Sequence, residues 1–157
     1  MQSFEIETDL CLSPEKAWLH MTSPSGVNAE FWPFMRMTFP ATMEDVTSDW
    51  RPGQRLFRSW LLLFGVIPVE YDDFGFKEVD KGKRFLEVSE MLSQQQWVHE
   101  REISETPRGV RLSDRVSFVS RLPSMERISL GVFRLVFRYR HFRLSRLYGH
   151  DAARDQV

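Results

Sequence analysis

A histidine and an aspartate on two successive strand-like segments are the best candidates for chemistry in this sequence. His99 shares one face of residues 95–103 with Trp97, and Asp114 is the one polar member of the apolar face of residues 110–119. A carboxylate that faces an imidazole on an inward surface fixes its tautomer and favours its charged form. The pair is either a polar anchor or acid/base group at the floor of an apolar pocket, or a buried pair that only fixes strand register.

The register of this hairpin depends on the loop between its two strands. Residues that face each other across an antiparallel pair have position numbers of constant sum. A short loop centred near Thr106-Pro107 predicts three facing pairs: Trp97 with Val116, His99 with Asp114, and Arg101 with Leu112. Arg101 then shares the inward face with the histidine.

Two glutamates compete for the inward face of the preceding segment, residues 85–92. Glu87 and Glu90 lie on opposite faces of a strand, so only one of them can point inward. The alternation of apolar residues favours Glu90, whereas Arg101, which would otherwise be a buried unpaired charge, favours Glu87. We slightly prefer Glu87, and a solvated carboxylate remains the simpler role for either one.

Composition and motifs exclude several classes of protein. The chain has 157 residues and a formal net charge of -1 from 21 basic and 22 acidic side chains, which fits one globular domain and gives no indication of nucleic-acid binding. The single cysteine, Cys11, falls on the polar face of the first strand, and no Gly-x-Ser-x-Gly motif occurs, so covalent catalysis is not expected. The sequence has no metal-ligand spacing and no glycine-rich phosphate loop, so we expect no metal and no cofactor.

The apolar stretches are too short for a membrane protein. The longest, such as residues 60–67, fall well short of the roughly 20 residues that a spanning helix needs. The first seven residues lack the basic start and apolar run of a signal peptide. We therefore expect a soluble cytoplasmic protein without stable membrane insertion.

The N-terminal part of the chain predicts one strand followed by two short helices. Apolar side chains alternate with polar ones from Phe4 to Leu12, which indicates a half-buried strand. Ser13-Pro14 is typical of a helix N-cap followed by proline at the first helical position, and Ser23-Pro24 begins a second short helix.

The central part of the chain predicts an antiparallel meander. Turn sequences rich in proline and glycine occur at residues 51–54, 80–83 and 106–109. The strand-like segments cover residues 56–64, 69–79, 85–92, 95–103 and 110–119. Successive strands joined by short turns pair with their sequence neighbours.

A long helix is predicted from an N-cap at Ser124 to about Tyr148, with Gly149 as its end. Its apolar stripe at three- and four-residue steps comprises Ile128, Val132, Leu135, Tyr139 and Phe142. Six arginines lie beside this stripe: Arg127, Arg134, Arg138, Arg140, Arg143 and Arg146. They form either a basic surface for an anionic membrane or nucleic acid, or the solvated face of a core helix, and the near-zero net charge favours the second.

Together these elements predict an α+β fold in one domain, residues 1–149. A curved antiparallel sheet of about seven strands wraps around the long C-terminal helix, and two short helices follow the first strand. Helix and strands that diverge at one end leave a cavity between them. Residues 150–157 are polar and follow a glycine, so we expect them to fray.

Three motifs in this order resemble the SRPBCC superfamily, whose helix-grip fold occurs in START lipid-transfer domains, birch-pollen-allergen-like proteins and polyketide cyclases. Residues 12–18, Leu-Ser-Pro-Glu-Lys-Ala-Trp, are similar to the opening of the family's first helix. Residues 97–99, Trp-Val-His, followed by 109–116, are similar to a hairpin of its small bacterial ligand-binding members. Residues 137–141, Phe-Arg-Tyr-Arg-His, are similar to the end of their last helix.

The resemblance implies that Glu87, together with Phe85 and Ser89, points inward opposite His99 and Arg101. The sequence departs from the family pattern at Arg101, where a second histidine is common. It also departs at residues 92–96, where a small-residue turn is usual. These departures leave the fold intact but put any specific ligand or activity in doubt.

We expect the protein to bind a hydrophobic or amphipathic small molecule, for transport or sensing, between the sheet and the last helix. The expected ligand contacts are Trp97, Leu135, Tyr139 and Phe142 for area, and His99, Asp114, Arg101 and Glu87 for orientation. The alternative is an enzyme of polyketide cyclase or dehydratase type, in which His99 with Asp114 moves a proton on a bound polyketone. A second alternative is a chaperone-activator-like interaction domain, and a homodimer is left open.

Overall fold

The computed structural model describes residues 1–149, and the expected fraying of residues 150–157 lies outside this range. The elements follow in the order β1 (Gln2–Leu10), α1 (Pro14–Thr22), α2 (Pro24–Phe31), β2 (Met35–Met37), β3 (Arg55–Leu63), β4 (Ile67–Asp80), β5 (Arg84–Met91), β6 (Gln94–Thr106), β7 (Gly109–Ser120) and α3 (Glu126–Tyr148). The α+β class and the two short helices after the first strand are confirmed.

The seven strands form one antiparallel sheet in the order β1-β7-β6-β5-β4-β3-β2. Strands β3 to β7 form a meander because connections of two or three residues join each to the next. The short β2 pairs with β3 after the longer segment 38–54, and β1 closes onto β7 at the other edge. The sheet curls into a half-barrel around α3, which is the predicted helix-grip arrangement. No helix within residues 1–149 is both long enough and apolar enough to cross a membrane.

Serine side chains begin the two short helices, as predicted. The hydroxyl of Ser13 accepts the backbone N–H of Lys16 at 3.3 Å, and that of Ser23 accepts the N–H of Gly26 at 3.1 Å. The predicted N-cap at Ser124 is wrong: Ser124 lies inside a 3₁₀ turn, Pro123–Met125, and α3 begins after it without a side-chain cap. Proline favours this early turn because its fixed φ already suits a helical conformation.

The predicted register of the β6–β7 hairpin is wrong by two positions. Thr106 pairs with Gly109, so the loop has two residues and its centre lies further along the chain than predicted. Arg101 therefore faces Asp114, and the other facing pairs are His99 with Val116 and Trp97 with Phe118. A shift of two leaves every side chain on its predicted face, since side chains alternate with a period of two.

Strand β5 points Glu87 into the fold and Glu90 out of it. Glu87 is 2% exposed, whereas the side chain of Glu90 is 68% exposed and pairs with Arg121. The preference for Glu87 as the inward residue is confirmed, and the solvated role considered for it is wrong.

A tight approach of backbone to Gly109 holds the hairpin register. Gly109 has φ +150°, and a Cβ there would lie 2.2 Å from the carbonyl oxygen of Leu10 on β1. Gly82 also has a positive φ, +86°, but a Cβ there would have nothing within 4 Å. Gly109 therefore carries a steric constraint in addition to the backbone preference.

We predict that Gly109→Ala destabilises the protein much more than Gly82→Ala. The control substitution costs about 1 kcal/mol from the positive φ alone, whereas Gly109→Ala also forces β7 away from β1. Urea unfolding followed by circular dichroism measures both losses. Equal losses would contradict the role assigned to the close approach.

Candidate functional site

The buried carboxylate of Asp114 is the centre of a polar cluster beneath α3. Arg101 donates to it through Nε and Nη2 at 2.7 and 2.6 Å. His99 donates through Nε2 at 2.7 Å, and His141 of α3 through Nε2 at 2.8 Å. Asp114 is fully buried, so these four contacts replace the water that the carboxylate loses on folding.

A second buried carboxylate, Glu30 on α2, joins the sheet to α3. It accepts from both terminal nitrogens of Arg101 at 2.8 and 3.0 Å, and from Nε and Nη2 of Arg140 at 2.8 and 2.7 Å. Nε2 of His20 contributes a further contact at 3.2 Å. Glu30 and Asp114 together match the charges of the two buried arginines.

The arginines keep both carboxylates ionised. Burial alone would raise the pKa of Asp114, but the adjacent Arg101 guanidinium outweighs it and holds that pKa well below its usual range. Burial acts in the same direction on Glu30, and Arg101 and Arg140 together lower its pKa despite that. The cluster is therefore a set of compensated charges at neutral pH.

His99 connects this cluster to the buried Glu87, whose pKa is raised. Burial lowers the pKa of His99, and although Asp114 opposes this, the net direction contradicts the expected preference for imidazolium. Burial followed by the charge of Asp72 raises the pKa of Glu87 well above its usual range. We therefore assign a neutral imidazole that donates from Nε2 to Asp114, while its Nδ1 lies 3.2 Å from the carboxyl of Glu87, which also hydrogen-bonds Asp72.

A cavity of about 510 Å³ lies between this cluster, the inner face of the sheet and the first half of α3. Apolar side chains make up most of its lining, including aromatic rings and five of the seven methionines: Met21, Met35, Met37, Met91 and Met125. Its polar lining residues are Glu70, Asp72, Glu87, Ser93, His99, Arg101, Ser129 and Arg140. This volume lies within the usual range of small-molecule pockets, about 300–1,000 Å³.

Asp72 on β4 differs from the other buried charges because it has no cationic partner. Its side chain is 4% exposed, and Oδ1 has no hydrogen-bond partner among residues 1–149. Burial raises the pKa of Asp72 to about 6, and the acidic neighbours Glu70 and Asp73 act in the same direction. The polar side chains of Glu87 and Ser89 partly oppose this shift.

Four of the predicted ligand-binding residues line the cavity: Trp97, His99, Arg101 and Glu87. Asp114 lies behind them and contacts the cavity through His99 and Arg101 rather than directly.

Three other predicted contact residues, Leu135, Tyr139 and Phe142, do not line the cavity, so that prediction is wrong. Leu135 is 70% and Phe142 56% exposed, and the hydroxyl of Tyr139 donates to the backbone carbonyl of Trp32 at 2.6 Å. The inner face of α3 instead carries Phe133, Val136, Phe137, Arg140 and His141.

Sequence analysis placed the inner face of α3 on the wrong side of the helix and therefore missed Arg140. Arg140, predicted to be solvated, is 6% exposed, and its guanidinium lies over Phe31 and Phe137 at 4.7 and 4.8 Å. Arg140 follows Phe137 by three residues, so an apolar stripe that included Phe137 would have predicted an inward Arg140. Glu30 gave no comparable signal, whereas Asp72 alternates with Phe74 on β4, a pattern that indicates one shared face.

Within residues 1–149, no group of three or more histidine, cysteine, aspartate or glutamate side chains is arranged to hold a metal ion. The buried carboxylates and imidazoles instead satisfy one another and the arginines. The cluster can fix a hydrogen-bond pattern at the cavity wall and hold one proton between Glu87 and His99.

Comparison with known families identifies the group to which this sequence belongs. A family model described as a domain of unknown function, DUF8410, matches residues 8–148. The chain belongs to the DUF8410 family. A search of curated proteins gives no match.

Solved structures of several proteins share this fold. Protein CV1439 from Chromobacterium violaceum is 14% identical with a TM-score of 0.71, over 96% of this chain and 100% of that one. Ara h 8.0201 is 10% identical with a TM-score of 0.56, over 92% and 98% of the two chains. DynU16, a protein in the dynemicin biosynthetic locus, is 14% identical with a TM-score of 0.58, over 91% of this chain and 46% of its own. At these identities the likeness establishes the helix-grip fold.

We predict that Glu30→Gln lowers the free energy of unfolding by about 3–5 kcal/mol, because it leaves Arg140 as a buried, uncompensated charge. The matched control is Asp9→Asn, which breaks the exposed pair between Asp9 and Arg111, 2.7 Å apart. Such surface pairs contribute little, so the control should unfold at almost the wild-type urea concentration. Similar losses in the two variants would mean that burial does not decide the strength of these pairs.

We predict that Asp72→Asn stabilises the protein at neutral pH. The folded-state pKa of about 6 is above the ordinary value of 3.8, so the ionisation of Asp72 opposes folding as the pH rises through that window. The variant should gain about 3 kcal/mol over the wild type at pH 7.5 relative to their difference at pH 3.5. Urea unfolding at both pH values measures this difference, and a constant difference would show that Asp72 is not destabilised by burial.

Proposed function

We propose that this protein binds a hydrophobic or amphipathic small molecule in the cavity between the sheet and α3. The observation that carries the proposal is a cavity of about 510 Å³ whose lining is mostly apolar, with Asp72, Glu87 and His99 among its polar groups on neighbouring strands. Such a lining holds the apolar part of a ligand by burial and leaves the polar wall to orient it. We also propose that the DUF8410 family is a branch of the SRPBCC superfamily, which the helix-grip fold and the three sequence motifs support.

The mouth of the cavity offers a route for an apolar ligand. Val69 at the start of β4, and Met125, Ile128 and Val132 around the start of α3, both line the cavity and are 43–57% exposed. Apolar side chains that border an opening lower the cost of passing a hydrophobic molecule from water to the interior. The ligand would enter here and meet the polar wall formed by Asp72, Glu87 and His99.

The environment of His99 favours binding over acid/base catalysis. Both ring nitrogens are within hydrogen-bond distance of protein carboxyl groups, Nδ1 of Glu87 and Nε2 of Asp114. A general base needs a nitrogen that reaches the substrate proton, and this arrangement leaves none directed into the cavity. The cyclase alternative, with His99 and Asp114 as the acting pair, therefore has weaker support, and the cavity volume disfavours a pure interaction domain.

We predict that a neutral naphthylamine dye, N-phenyl-1-naphthylamine, binds saturably and that Val136→Trp abolishes this binding. Val136 lines the cavity, so an indole there occupies the space of the probe. The matched control is Leu135→Trp at the adjacent position, where the side chain is 70% exposed and points away from the cavity. Fluorescence titration of both variants, with circular dichroism to verify folding, gives the comparison.

The two variants separate a filled cavity from a damaged fold. Loss of dye binding in Val136→Trp but not in Leu135→Trp supports the proposal. Linear, unsaturable fluorescence with the wild type would count against a preformed pocket. Native mass spectrometry of freshly purified protein adds an independent test, since a ligand acquired during expression would appear as a defined mass increment.

A further inference from the structure

We infer that the molecule bound in the cavity carries a protonated amine, which pairs with Asp72. This inference rests on the proposed function, since it concerns the polar end of the ligand in the same cavity. It follows from an accounting of which charges on the cavity wall already have partners. Among the residues that the structure describes, the cavity wall has one buried carboxylate without a cationic partner and no cation without a carboxylate partner.

The acceptor is the carboxylate of Asp72. It lines the cavity, is 4% exposed, and has Oδ1 without a hydrogen-bond partner in residues 1–149. A buried polar atom normally has a partner, and an unsatisfied one in a cavity is a place where a ligand donor gains a full hydrogen bond. Hydrogen bonding by Glu87 and Ser89 partly offsets the burial of this carboxyl, but it brings no positive charge, and the nearby Glu70 and Asp73 are acidic, so a cation would relieve repulsion as well.

The two arginines of the cavity wall, Arg101 and Arg140, both pair with buried carboxylates. Arg101 donates to both oxygens of Asp114 and both oxygens of Glu30, and Arg140 donates through two nitrogens to Glu30. No lysine lines the cavity, and His99 is held between Glu87 and Asp114. A ligand carboxylate or phosphate would find no unpaired cation and would face Asp72.

The remaining carboxyl groups of the wall have partners of their own. Glu87 receives the hydroxyl of Ser89 at 3.1 Å and contacts His99 at 3.2 Å. Glu70 accepts from the backbone N–H of Ser93 at 3.2 Å and also from its hydroxyl. Asp72 is thus the group on this wall that needs a donor, and the positive charge of an ammonium matches it best.

Aromatic rings around the cavity add to this preference. The lining contains Phe31, Phe74, Phe85, Trp97, Phe133 and Phe137. The negative face of an aromatic ring attracts a cation and repels an anion. An alkyl or aryl amine therefore satisfies the apolar lining and the carboxylate together.

The test is a competition between three ligands that differ only in the polar end: decylamine, decanol and decanoate, each below its aggregation concentration. Each displaces N-phenyl-1-naphthylamine from the wild-type protein at pH 7.5. We expect decylamine to bind at least tenfold more tightly than decanoate, with decanol between them. Asp72→Asn should remove this tenfold preference and change the affinity for decanol by less than about threefold.

Asp73→Asn is the matched control for the electrostatic part of the argument. Asp73 is the next residue of β4 but faces outward, where it pairs with Arg58 at 2.7 Å. The substitution removes the same charge from the same strand without touching the cavity. The preference for decylamine should survive in this variant.

The outcomes separate this inference from the proposed function. Decanoate binding as tightly as decylamine, or a preference that persists in Asp72→Asn, would overturn the inference while the cavity remains a binding site. A preference lost equally in Asp73→Asn would also overturn it, since general attraction to an acidic strand would then explain the result. Failure of the dye and of all three ligands to bind would overturn the proposed function itself.

Discussion

Two buried carboxylates and two buried arginines hold this molecule together: Glu30, Arg101, Asp114 and Arg140 come from α2, β6, β7 and α3. Glu30 is 71 residues from Arg101 and 110 from Arg140 along the chain. Removing any one member would leave a charge in a low-dielectric interior without compensation, which is far more costly than losing a surface pair. The sheet, α2 and α3 must therefore assemble together, because no pair of them alone satisfies the cluster.

The same cluster shapes the chemistry available to the cavity. Because its two arginines pair with Glu30 and Asp114 behind it, the wall within residues 1–149 presents a neutral imidazole, a glutamate with a raised pKa and a carboxylate without a cationic partner rather than a free positive charge. Burial acts in the same direction on all four acids, but guanidinium groups outweigh it at Asp114 and Glu30, whereas Asp72 and Glu87 have raised pKa values. The position of two arginines thus decides which buried carboxyl groups have lowered pKa values, and it leaves Asp72 and Glu87 at the cavity.

Local periodicity predicted much of this architecture, and its failures have physical causes. Period-two alternation correctly placed His99, Arg101 and Asp114 on one face, since a strand has only two faces to choose from. The strand register depended on where the turn between Thr106 and Gly109 lies, because moving the turn by one residue changes the partner of every residue in the hairpin. The phase of α3 was not decidable by hydrophobicity, because the exposed Leu135 and Phe142 are as apolar as Phe133 and Val136, which line the cavity. Only Glu30, distant in sequence, makes an inward Arg140 favourable.

The methionine-rich lining makes the cavity sensitive to oxidants. A thioether is flexible and polarizable, so five such side chains let one cavity fit molecules of different outline. Each is also open to oxidation to a sulfoxide, which is polar and chiral. Met125 at the mouth is 43% exposed, whereas Met21 and Met91 are buried at 2% and 3%, so oxidants would reach the entrance first. Oxidative damage would thus weaken the retention of an apolar molecule while leaving the charged cluster beneath it untouched.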